Sequence, residues 1–101
     1  MRKFILIAAT AMLVSYKGVH SSPPFLLEGV VQDKVSGQPL KAVHVFTVKG
    51  EEEAVTNEKG VFRFQSWKET VVLTAESPGY QKKQVQLTLP APKQTVLLEK
   101  E

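Results

Sequence analysis

Between Gly29 and Tyr80 each turn signal is locked to an alternating apolar stretch, and this spacing constrains the fold more than any other feature of the chain. The segments read GVVQDKVSGQPLKAVHVF, TNEKGVFRF and SPGY. Gly37 can take a positive φ, and Pro39 holds Gln38 extended, so Val35 to Pro39 is a turn. Asn57-Glu58-Lys59-Gly60 has Asn first and Gly last, as a type I turn prefers. Around these turns the apolar residues alternate with period two.

The alternation predicts strands over 26–33, 42–48, 54–56, 61–65, 70–76, 81–89 and 93–99. Val43, Val45, Val71, Leu73, Ala75, Val96 and Leu98 are expected to point inward. Phe62 and Phe64 share one face, with Val61, Arg63 and Gln65 on the other. Ala42, His44 and Phe46 are expected to face outward. Gly29, inside the first strand, signals a bulge or a close backbone approach. No stretch after residue 25 has helical periodicity. About seven short strands with turns at such spacing imply an all-β, seven-stranded immunoglobulin-like or prealbumin-like sandwich.

The first residues follow a different rule. Met1-Arg2-Lys3 is basic, and Phe4 to Val14 is an apolar run too short to cross a bilayer comfortably. Val19 and Ser21 stand as small residues at −3 and −1 of a cleavage site. We therefore expect a signal peptide over 1–21, a lead-in over 22–25 and one domain over 26–101, with no integral membrane span in the mature chain. The expected location is the periplasm or the cell surface. Arg2, Lys3 and Lys17 would leave with the leader, so 10 of the 13 basic residues remain against 10 acidic ones. A neutral mature chain has no field to attract nucleic acid. Cysteine is absent, so disulfides, the usual support of small exported domains, play no part. Its absence also argues against a lipid anchor.

These segments resemble the carboxypeptidase regulatory-like domain, a prealbumin-like sandwich found in exported proteins of Bacteroidota. The resemblance rests on Gly29, Val31, Asp33, Gly37, Pro39 and Leu40, then Thr56, Asn57, Gly60 and Phe62, then Gly79 and Tyr80. It covers about residues 26 to 99, and its motifs specify fold rather than chemistry. Two positions depart from the pattern: Lys41 stands where Gly or Pro is frequent, and Asn57 where Asp is. The resemblance implies that Tyr80 packs back over the sandwich. With no TonB box, plug or barrel following and no peptidase preceding in this sequence, an accessory module is expected rather than a receptor or a protease.

No set of residues has the spacing of a catalytic centre, and no cofactor is expected. His44 lacks a second ligand or a nucleophile by spacing. A transthyretin-like hydrolase needs several His and Arg residues converging on a groove; His44, Arg63 and a terminus reading LLEKE do not supply them. Glu51-Glu52-Glu53 could hold calcium with Asp33 or Glu58. Three consecutive Glu lack the alternate oxygen spacing of calcium loops, however, and read as a solvated turn. That leaves partner binding through Phe46, Trp67 and His44. An unknown envelope protein is the first expectation for the partner. A glycan stacking on Trp67 is the alternative. Lys82 and Lys83 read as protection of a sheet edge, which makes the uncharged strand over 42–48 the better docking surface.

Overall fold

The computed structural model describes residues 22–101. The expected leader over 1–21 lies outside them. Seven strands form: β1 (Phe25–Asp33), β2 (His44–Val48), β3 (Glu52–Val55), β4 (Val61–Ser66), β5 (Thr70–Glu76), β6 (Lys83–Thr88) and β7 (Gln94–Leu98). They make two sheets, β4-β1-β7 and β3-β2-β5-β6. All neighbours are antiparallel except β1 and β7, which run parallel. The all-β, seven-stranded reading is therefore correct. Among the described residues no helix is long and apolar enough to cross a membrane.

The core lies between the sheets. Phe25, Leu27 and Val31 enter from β1, Phe62 from β4, and Val96 and Leu98 from β7. Val43 and Val45 face them together with Val71, Leu73, Ala75 and Leu89. β1 shows why the pattern is strict: its odd-numbered residues are all buried and its even-numbered ones are not. Val45 on β2, Val43 just before it, Val71, Leu73 and Ala75 on β5, and Val96 and Leu98 on β7 are buried as expected, and Phe64 is half-buried against the core.

Gly29 is a close approach. A Cβ there would collide with the Gln94 carbonyl across the parallel pair and lie 2.9 Å from the tip of the Phe62 ring. The missing side chain lets Phe62 lie over the backbone and lets β7 draw close to β1.

Four expectations need correction. Ala42 does not open β2: its φ is +62°, and its N–H donates to the Thr56 carbonyl at 2.9 Å. β3 begins at Glu52 rather than Ala54, so Glu52 and Glu53 belong to a strand. β2, moreover, lies between β3 and β5. Its backbone is paired on both sides, so it cannot accept an incoming strand, and only its outward side chains remain for contact. Phe25, placed in the lead-in by sequence, already belongs to β1.

Gly29→Ala is expected to lower the unfolding free energy by about 2–3 kcal/mol through overpacking. Gly37 has a φ of +77° and open space around its Cα, so Gly37→Ala should cost only about 1 kcal/mol of backbone strain. Urea denaturation of both variants checks the order; equal losses would show that space at Gly29 is not limiting.

Candidate functional site

Each end of the sandwich is held by a buried carboxylate, and one of these supports the most exposed aromatic residue of the fold. Asp33 closes β1. Its Oδ1 accepts the N–H groups of Val35 and Ser36 at 2.8 and 2.9 Å, which shapes the turn. Its Oδ2 accepts the Tyr80 hydroxyl at 2.8 Å, tying the β5–β6 loop to the opposite sheet. Tyr80 thus packs back onto the sandwich as expected. The Ser36 N–H first, then the Tyr80 hydroxyl, favour the ionised carboxylate, and the Asp33 pKa falls to about 2. The same hydrogen bond raises the Tyr80 phenol.

Glu52 does the corresponding work at the other end, and the solvated-turn reading of Glu51 to Glu53 fails at this residue. Glu52 is buried. Its Oε1 accepts hydroxyls from Thr47 at 2.6 Å and Ser66 at 2.7 Å, and its Oε2 accepts the Trp67 backbone N–H at 3.0 Å. Burial pushes its pKa up, but the Thr47, Ser66 and Trp67 donors, with the charge of Lys68, outweigh burial and lower it. These bonds join β3 in one sheet to the end of β4 in the other. A β-bulge makes the geometry possible: the β2–β3 register shifts between Phe46 and Val48, which places Thr47 against the Glu52 carboxylate.

Trp67 follows directly from this anchor. Its backbone is fixed by Glu52, while the side chain is 61% exposed. Leu26, 40% exposed, lies at the same end, since Phe25 pairs with Ser66 and Leu26 with Gln65.

His44 and Phe46 lie together on the outer face of the four-stranded sheet, their ring centroids 4.9 Å apart. Both are half-buried. His44 Nε2 is 2.7 Å from Glu53 Oε1; a carboxylate only accepts, so Nε2 carries the shared proton. The His44 hydrogen bond, then the Gly50 N–H, lower the Glu53 pKa. Lys49 Nζ lies 5.4 Å from the centre of the Phe46 ring and 3.5 Å from Glu76. Phe46 is outward as expected, but its own neighbours cover much of it. An open groove of about 440 Å³ brings His44 beside Glu76, Ser77, Pro78 and Tyr80. No hydrogen bond joins His44 to Ser77 among the described residues; the imidazole is engaged by Glu53.

Sequence reasoning placed Trp67, Phe46 and His44 in one group. The structure pairs His44 with Phe46 and displays Trp67 separately, at the sandwich end. The residue it missed is Glu52. The one local signal was that Glu52 stands two residues before Ala54 and so shares its inward face in a strand of period two.

Two predictions follow from the carboxylates. A depressed folded pKa contributes stability that is present above the ordinary value of 3.8 and is lost as the pH falls through about 2. Melting temperature followed from pH 6 to 2 should carry this loss in the wild type. Asp33→Asn should lack it, and Tyr80→Phe should raise the lower limit of the window toward 3.8. For Glu52→Ala, leaving the Ser66 and Thr47 hydroxyls and the Trp67 N–H without their acceptor should cost about 2–3 kcal/mol. The fluorescence anisotropy of Trp67, the single tryptophan, should fall at the same time. Unchanged anisotropy would show that Glu52 does not hold the loop.

No curated protein matches the chain. The family model described as CarboxypepD_reg-like domain matches residues 27–101, a span that takes in β1 from Leu27 and every later strand. With Gly29, Asp33 and Tyr80 in the roles described above, the chain belongs to the CarboxypepD_reg-like domain family.

Proposed function

We propose that this protein is an exported, non-enzymatic module of the cell envelope that binds another protein. The single observation carrying this reading is Trp67: a large aromatic side chain 61% exposed on a backbone clamped by a buried carboxylate. A rigid tryptophan loses little freedom on binding, which is the property of an interface anchor. Membership of a regulatory-like family supports an accessory role. The basic and apolar character of residues 1–14 supports export.

A protein partner fits better than a glycan. Sugar platforms gain from several exposed rings, and Trp67 is the only aromatic among the exposed large hydrophobic residues of the described chain. The exposed Leu26 at the same end of the sandwich is aliphatic, which suits a protein contact.

In-cell crosslinking of the tagged protein, followed by mass spectrometry, tests the reading. One dominant envelope protein should be captured and lost with Trp67→Ala. Phe46→Ser should weaken capture less, because His44 and Lys49 already cover that ring. Capture that survives both substitutions together would contradict the assignment. Absence of a protein partner, with a glycan-array signal that disappears in Trp67→Ala, would replace it with sugar binding.

A further inference from the structure

The edge of the four-stranded sheet at β6 carries a second surface, unrelated to Trp67. β6 is the last strand of its sheet, and β5 pairs with it on one side only. At its start the two sheets zip together. Tyr80 bridges Lys100, the Gln81 N–H donates to the Glu99 carbonyl at 2.8 Å, and the Glu101 N–H donates to the Gly79 carbonyl at 3.0 Å. Beyond Gln81 this pairing stops and the edge runs open from Lys83 to Thr88.

The side chains along that edge are unusual for a strand that must avoid pairing. Lys82 and Lys83 stand only at its beginning. Gln84 to Thr88 is uncharged and alternates; Val85 and Leu87, paired opposite the buried Leu73 and Val71, lie on the inward side yet are only half-covered. The open edge of β6 thus carries two half-buried apolar side chains, Val85 and Leu87, between exposed polar ones.

Charge identifies what fits there. A cleft of about 460 Å³ at the end of the zipped segment is lined by Lys34, Lys82, Lys83, Gln81, Leu97 and Glu99. Three lysines face one carboxylate, and Lys34 pairs with that carboxylate at 3.4 Å, both partners being half-exposed. Lys82 and Lys83 form no ion pair among the described residues. The excess positive charge sits where an incoming chain would begin or end.

We propose that β6 accepts an extended polypeptide segment of a partner as an added strand, with acidic residues of that segment seated against Lys82 and Lys83 and small or β-branched residues covering Val85 and Leu87. The two lysines thereby act as a selector for acidic partners rather than as general edge protection. The inference rests on the protein-binding reading above only in taking the partner to be a polypeptide.

A short synthetic peptide of alternating Thr and Val ending in two Asp serves as the probe, with the same peptide ending in two Lys as the comparison. The acidic peptide should slow amide exchange across Gln84 to Thr88 and leave β3 unaffected. The double variant Lys82→Glu, Lys83→Glu should bind it about tenfold more weakly, as two exposed ion pairs allow. A weakening of similar size is expected when salt rises from about 0.05 M to about 0.5 M. Equal binding of both peptides, or no protection of β6, would overturn the proposal. So would ultracentrifugation showing the free protein dimeric through this edge. Crosslinks that depend on Trp67 while the peptide fails would sink this inference and leave the protein-binding reading standing; peptide binding without envelope crosslinks would do the reverse.

Discussion

The fold depends on two buried carboxylates that replace the disulfides this chain lacks. Asp33 fastens β1 to the β5–β6 loop, and Glu52 fastens β3 to the end of β4. Each bond set crosses from one sheet to the other, at opposite ends of the core. Taking a carboxylate out of water is costly unless several donors meet it. Both meet three. An ionised carboxylate has about four acceptor positions, so one side chain can gather donors from different strands. Thr56 applies the same economy without charge: its Oγ1 accepts the Val43 N–H at 2.9 Å and donates to the Leu40 carbonyl at 2.7 Å. The surface ion pairs contribute little by comparison. Lys34–Glu99 and Lys49–Glu76 are long and largely exposed.

Between the clamps, backbone packing sets the spacing of the sheet. Gly29 admits Phe62 over β1 and lets β7 lie close beside it. Gly60 has a φ of +75°, and a Cβ there would stand 2.5 Å from the Val31 carbonyl, which instead accepts the Leu40 N–H. The Asn57 carboxamide completes that hairpin by accepting the Lys59 and Val61 N–H groups. These contacts explain why the glycines and the Asn belong to the fold rather than to any chemistry.

Features of this kind were legible in the sequence because they are local. A period of two puts Val43, Val45, Leu73 and Leu98 inside whatever the neighbouring strands may be. A glycine within a strand announces close approach, and a Gly-Tyr pair announces a turn with an aromatic to place. Strand order is not local, and there the reading failed. Nothing within residues 42–48 shows that β2 has neighbours on both sides. Three consecutive Glu look solvated because the donors that bury Glu52 come from Thr47 across a bulge and from Ser66 and Trp67 in another sheet. The candidate residues were legible as residue types: His44 and Phe46 are outward where the alternation left them, and Trp67 stands exposed just after β4. What could not be read was their unequal availability, since Lys49 and Glu53 cover one pair while Glu52 props up the third.

The clamps tie the two sheets together without disulfides, and on the reading proposed above the exposed Trp67 and the β6 edge are the surfaces that this body presents. The most direct measurement of the central claim is a carbon-detected NMR titration of the side-chain carboxyls. Asp33 is predicted to titrate near pH 2 and Glu52 below the ordinary glutamate value of 4.5, while both remain hydrogen-bonded through the folded range. Ordinary titration of both groups would show that neither carboxylate joins the sheets, and the account of how this chain holds its shape would be wrong.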